Sequence, residues 1–247
     1  MAAIASPVSQ IEIGLLPQSE LDEVRRFLFW TYCVVDGWIP PAGDPAGLRV
    51  QEDMLVDDRD SLCNFIVARI NNELVGCVRI APRVSGKFET QLYDDINSEN
   101  KYRRFDVELA RFSVAPSARK TVAGLRLMEA VAQWAVDKSV MVFSAPVEPA
   151  VKLYYQSIGY RPATNMKPFR YFTDTRAATV FGLDDMVEQR RVLANIKKAL
   201  VVKVRFDDFT WPECNANGLL LVRTCEALVF PPPFCVTGRF TQGGKQI

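Results

Sequence analysis

The amino-acid sequence predicts an α/β protein: a mixed β-sheet with helices packed on its faces, followed by a C-terminal extension. Three observations carry that expectation. Between residues 64 and 160 the hydrophobic pattern runs strand, strand, strand, helix, strand, helix. Apolar residues fill 49% of the 247 positions and charged residues 24%, which allows a sizeable core and argues against global disorder. No apolar run approaches the length needed to cross a bilayer.

Residues 20–35 read as a helix whose first turn holds Glu20, Asp22 and Glu23, complementing the helix dipole. A loop rich in Pro and Gly (Gly37 to Gly47) and an acidic stretch (Glu52 to Asp60) follow. Residues 64–70 and 73–81 are β-type runs. Asn71-Asn72 between them tolerates left-handed dihedrals, so the pair is a hairpin. A polar excursion spans 83–104, and residues 105–114 form the third strand, stopped by Ala115-Pro116. From 122 to 137, Leu125, Met128, Ala132 and Ala135 share one helical stripe. A buried strand (140–145) and a helix (148–157) come next, with Gly159 just past the helix end. From 176 the pattern offers an amphipathic helix around 184–198, apolar runs at 200–204 and 219–222, and Pro231-Pro-Pro233. No chemistry attaches to that tail.

Formal charge is +1, from 30 bases and 29 acids, so neither nucleic acid nor a membrane surface is an expected partner. Residues 1–60 hold 11 acids against 4 bases, which leaves the remainder basic. An acidic front and a basic body suit a cationic substrate meeting an anionic cofactor; solvated surface charge is the equal alternative. There is no histidine. Imidazole triads and His-ligated zinc are therefore excluded, and proton transfer falls to Glu, Asp, Tyr, Lys, Cys or water. The six cysteines form no C-x-x-C pair and read as buried thiols rather than as metal ligands or disulfides. The amino terminus lacks a secretory pattern, so a cytoplasmic location is expected.

The informative segment runs from Val114 to Leu125, between a strand and an amphipathic helix. Such a junction aims backbone N–H groups and the positive end of the helix dipole at one spot, where phosphate binds. Arg119 and Lys120 add cationic side chains, and Gly124 permits close approach to the backbone. The segment lacks the G-K-[ST] ending of a Walker loop and the G-x-G-x-x-G dinucleotide pattern. On this loop alone, an ordinary strand-to-helix turn with surface bases weighs evenly against an anion site.

The same segment resembles the acyl-CoA-binding motif of the GNAT acyltransferase superfamily, V-x-P-x-x-R followed by R/Q-x-x-G-x-G/A at a helix start. Arg119 takes the first place of the second pattern and Gly124 its last, while Val122 stands at its first glycine. Val151-Lys-Leu-Tyr154-Tyr155-Gln-Ser-Ile-Gly159-Tyr160 resembles the superfamily's second signature. This resemblance implies a mixed, mostly antiparallel sheet in residues 1–175, with 176–247 as an extension of unassigned role. It implies an N-acyltransferase that uses an acyl-CoA or acyl-ACP thioester, without a metal, on a small-molecule amine. The thioester would meet Phe112, Ser113, Val114, Arg119, Lys120, Thr121, Val122, Ala123 and Gly124.

A narrower likeness lies in Glu108-Leu-Ala-Arg111-Phe112, which is similar to the E-x-[ST]-R-F strand of acyl-homoserine lactone synthases and N-acyl amino acid synthases. Ala110 replaces the small hydroxyl residue. Arg25, Phe29, Trp38, Asp53, Asp57 and Gly76-Cys-Val-Arg79 fit that branch. It implies a donor delivered by acyl carrier protein and an amino acid or S-adenosylmethionine as acceptor. Trp38, Arg79, Arg111 and Glu148 would then be acceptor contacts.

Attack of an amine on a thioester needs a neutral amine and a stabilised thiolate. Without histidine the candidate base is Glu108, directly or through water; an ion-paired or exposed Glu108 is the alternative. Period-two alternation sets Glu108 and Ala110 on one face and Arg111 on the other. By resemblance Tyr155 is the proton donor to the thiolate, and a plain core aromatic is its alternative role. Backbone N–H groups from Phe112 to Val114 would polarise the carbonyl, and Glu148 would cap its helix or contact the acceptor. The competing class is a non-catalytic module that binds acyl thioesters. Self-association is left open.

Overall fold

The computed structural model describes residues 11–171 and 174–206. The chain begins with β1 (Ile11–Leu15) and α1 (Leu21–Leu28), and α1 continues as π-helical turns through Phe29–Val35. The expected helix over 20–35 thus forms, but its second half is underwound, with the Asp36 N–H donating to the Thr31 carbonyl. A small hairpin of β2 (Arg49–Gln51) and β3 (Met54–Val56), unmarked in the hydrophobic pattern, turns at Glu52 and Asp53.

Next come β4 (Asn64–Ile70) and β5 (Glu73–Ala81), joined through Asn71 and Asn72 at φ 52° and 65°. They are followed by β6 (Val107–Val114), α2 (Ala123–Lys138), β7 (Val142–Ser144) and α3 (Pro149–Ser157). Four short strands close the sheet region: β8 (Arg161–Pro162), β9 (Phe169–Arg170), β10 (Ala177–Ala178) and β11 (Phe181–Gly182). The last element is α4 (Met186–Phe206).

Seven strands make one sheet in the order β1-β4-β5-β6-β7-β11-β8, and every pairing is antiparallel except β6 with β7. The sheet is mixed and mostly antiparallel, as expected. Its principal core lies under α1, α2 and α4, where Val24, Leu127, Met128, Val131 and Ile196 are enclosed. A second cluster gathers Phe88, Tyr102, Phe105, Phe143 and Phe169. Residues 83–104, polar in composition, therefore still bury aromatic anchors.

The expected division at residue 175 falls inside this unit. β11 lies between β7 and β8 of the same sheet, and α4 packs on α2 with Lys197 Nζ donating to Gln133 Oε1 at 3.0 Å. A two-residue strand carries almost no hydrophobic pattern, which is why the continuation goes unannounced. The apolar run at 219–222, the prolines at 231–233 and Cys214, Cys225 and Cys235 lie outside the described residues. Among the described residues no helix is long and apolar enough to cross a membrane.

Two irregularities shape β6. Its pairing with β7 lasts only from Val107↔Val142 to Glu108↔Phe143; beyond that the two strands part and β6 runs on with only β5 beside it, opening a wedge. On its other edge the register with β5 slips between Cys77 and Arg79, and Arg111 sits at φ 52°. That is a β-bulge.

Candidate active site

An arginine inside an apolar strand has to find carboxylates, because an unpaired buried guanidinium costs several kcal/mol. Arg79 on β5 is wholly enclosed. It binds Asp57, Asp60 (3.1 Å) and Glu89. Arg111 reaches the same carboxylates, Asp57 at 3.0 Å and Glu89 at 2.8 Å. Arg25 on α1 completes the set through Asp60 at 3.1 Å. Burial alone would raise the Asp57 carboxyl, but the guanidinium charges of Arg79 and Arg111 outweigh it and hold Asp57 well below the usual carboxylate range.

This network corrects three expectations. Arg111 does not point away from Glu108: the bulge spends one extra residue, breaks the alternation and swings Arg111 onto the face that carries Arg79. Arg79 has no surface with which to touch an acceptor, so it positions its carboxylates instead. Asp53 lies in the β2–β3 turn at φ 59°, and Asp60 is the second aspartate of the cluster.

Among the buried acids of the described residues, Asp57, Asp60 and Glu89 are ion-paired with these guanidinium groups and Glu108 is not. Glu108 is 3% exposed. Its oxygens accept from Thr90, from the N–H at 3.1 Å and from the hydroxyl at 2.6 Å. Burial raises its pKa despite those bonds and the charges of Arg79 and Arg111. Glu108 lies at the point where the pairing of β6 with β7 ends.

The far end of β6 carries the loop. Ala115 N–H donates to Val75 O at 2.8 Å and Ser113 pairs with Cys77, so by ladder parity the main chain of Val114 faces away from β5, into the wedge. The Ser113 side chain turns inward to Thr31 (3.1 Å) and offers no contact of its own. Arg119 folds back, its Nε donating to Val114 O at 3.0 Å and its tip 3.5 Å from Asp36. Thr121 Oγ1 accepts from Ala123 N–H at 3.1 Å, so the turn is capped in part by its own side chain.

Val122, where the family pattern has glycine, has φ −84°, a conformation any L-residue adopts. A Cβ on Gly124 would stand 3.5 Å from Phe112, 3.7 Å from the Tyr154 hydroxyl and 3.7 Å from Val114. Phe112, Val114 and Tyr154 thus close around the start of α2 at ordinary contact distance, and the site predicted for the thioester is packed by these three side chains.

The two tyrosines of α3 part company. Tyr155 is fully enclosed, edge-on to Tyr160 and beside Phe112 and Phe181, and burial pushes its pKa up to about 12. Tyr154 stacks on Phe112 with ring centroids 5.4 Å apart, and its buried hydroxyl has no hydrogen-bond partner among the described residues. Glu148 precedes α3 and is taken by Arg176. Trp38 stands one ring further out, edge-on to Tyr32 at 6.2 Å. Lys120 is exposed at the tip of the loop. Sequence reasoning missed Asp60, Glu89, Thr90, Tyr154 and Tyr171. A buried arginine in an apolar strand was the one available signal that more carboxylates had to be near.

Solved structures with this fold include BjaI, a CoA-dependent acyl-homoserine lactone synthase with SAM and isopentyl-CoA. Its TM-score is 0.57 at 15% identity, covering 78% of this chain and 90% of that one. The acyl-homoserine lactone synthase LasI gives 0.52 at 12%, covering 73% and 95%. FeeM, an N-acyl amino acid synthase from uncultured soil microbes, gives 0.52 at 13%, covering 74% and 94%. No curated protein matches by sequence. The Acetyltransferase (GNAT) family matches residues 28–160, more than half of the chain, so this chain belongs to that family and is an acyltransferase.

Proposed function

We propose that the chain is an N-acyltransferase that moves an acyl group from a thioester of coenzyme A or acyl carrier protein to the amine of a small acceptor. Acyl-homoserine lactone and N-acyl amino acid synthases, whose fold it shares, carry such names. One observation carries the reading: Glu108, the unpaired buried carboxylate, sits where β6 and β7 separate.

Six residues of strand, roughly 20 Å, separate Glu108 from Val114, which is room for an extended pantetheine arm along the open edge of β6. The phosphates then meet the start of α2, with Lys120 beside it and Val114 N–H directed at the arm. The acceptor nitrogen, once neutral, attacks the thioester carbonyl; the C–S bond breaks, the departing thiolate takes a proton from a phenol, and the proton that the nitrogen sheds on becoming an amide restores that phenol. Tyr154, half-buried against Phe112 and Gly124, is the donor we assign in place of Tyr155, whose whole ring is enclosed. Glu108 takes the proton that frees the amine.

The test offers the purified chain acyl-CoA and acyl-ACP donors against amino acids and S-adenosylmethionine, reading free thiol and the mass of acylated product. Amine-dependent thiol release is expected, and Glu108→Gln is expected to lower kcat by about 10²–10⁴-fold. Binding of acyl-CoA with no release for any amine would leave a non-catalytic module instead.

A further inference from the structure

Glu108 is sealed from solvent, so a proton has to reach it through another group. Its hydrogen-bonding contacts run through Thr90. An ionised carboxylate can only accept, so the Thr90 hydroxyl donates to Oε1 and is left with lone pairs. The Tyr171 phenol lies 3.0 Å from that hydroxyl oxygen and is therefore the donor to it. The bonds form a directed chain, Tyr171 to Thr90 to Glu108.

The outer end of the chain lies next to a cavity, behind two rings of its wall. The Tyr171 ring is half-buried and stands edge-on to Tyr93 (4.9 Å) and Phe169 (5.1 Å). Both of those rings line a cavity of about 510 Å³ that also includes Pro45, Asp95, Arg170 and Ala177. That volume lies in the range of small-molecule sites. Its carboxylate and guanidinium rims suit an acceptor that carries both an ammonium and an acidic group.

We infer that Thr90 and Tyr171 form a proton relay that carries the acceptor's ammonium proton from this cavity to the buried Glu108 carboxylate. The inference rests on Glu108 being the base proposed above. In the step, the ammonium gives one proton to the Tyr171 oxygen, Tyr171 passes its own to Thr90 Oγ1, and Thr90 passes its own to Glu108 Oε1. The amine ends neutral, Glu108 ends as the acid, and both hydroxyls are restored. The other ionisable groups that face Glu108 do not titrate near neutrality. Arg79 and Arg111 stay charged, and burial pushes Cys63 up to about 11 and Tyr102 higher still.

The test measures kcat, the KM for the thioester and the pH–rate profile of the full chain, with the donor and amine that the panel above yields. Thr90→Val and Tyr171→Phe are each expected to lower kcat by about 10²-fold at unchanged thioester KM. Thr90→Ser, which keeps the hydroxyl, is expected to recover most of the loss. Thr90→Val also removes a bond that favours ionised Glu108, so its acid limb should move to higher pH. Wild-type kcat and pH profile in both Thr90→Val and Tyr171→Phe, with Glu108→Gln inactive, would overturn the relay and leave the base in place. Full turnover by Glu108→Gln, or a panel without any amine-dependent release, would remove the base and the relay together.

Discussion

At the scale of residues, adjacent side chains of the same type take different roles because a helix turns about 100° per residue. Tyr154 and Tyr155 are neighbours in α3, yet one is half-buried with its ring stacked on Phe112 and the other is locked among Phe112, Tyr160 and Phe181. Tyr154→Phe is expected to cut kcat by about 10²-fold, while Tyr155→Phe stays within a few-fold of wild type. Steady-state thiol release decides it, and the reverse order would return the donor role to Tyr155. The choice was not legible beforehand, since a Tyr-Tyr pair carries no mark of which ring the helix buries. Arg79 was legible as a charge in an apolar run. Its partners Asp60 and Glu89 were not, because they sit in segments without periodicity.

At the scale of elements, β4, β5, α2 and α3 could be read from pattern alone, since alternation and the 3.6-residue stripe are strong over seven residues or more. β8 to β11, at two residues each, are too short to leave such a trace. The bulge escaped for a different reason. Arg111 holds a left-handed dihedral without being glycine, so nothing in the residue type announces it, yet it decides which face the guanidinium occupies. Gly182 in β11 shows the opposite case, a glycine required by packing. A Cβ there would lie 2.5 Å from the Phe105 ring and 3.5 Å from Phe143. Gly182→Ala is expected to destabilise the fold by about 1–3 kcal/mol, visible as a lower denaturation midpoint. An unchanged midpoint would mean that the ring moves aside freely.

At the scale of the whole molecule, two carboxylates pull stability in opposite directions with pH. Asp57 is held below its unfolded value of about 3.9, so its contribution is whole above that pH and drains as the pH falls through the folded value. Glu108 is raised above its unfolded value of about 4.3. Its contribution is present at low pH and is lost as the pH rises through the folded value. Replacing Glu108 with Gln removes that second term alone. The Tm difference between Glu108→Gln and wild type is therefore expected to be more favourable at pH 8 than at pH 4, and equal differences at both would sink the assignment. The parting of β6 from β7 carries a consequence for mechanics. Two residue pairs, Val107↔Val142 and Glu108↔Phe143, extended by the Asp106 and Val107 N–H groups donating to Met141 O, form a short main-chain seam between a four-stranded leaf and a three-stranded one. A thioester lying in that seam would act as a splint across a book's spine, coupling occupancy by the donor to the rigidity of the leaf that holds Phe143 and α3.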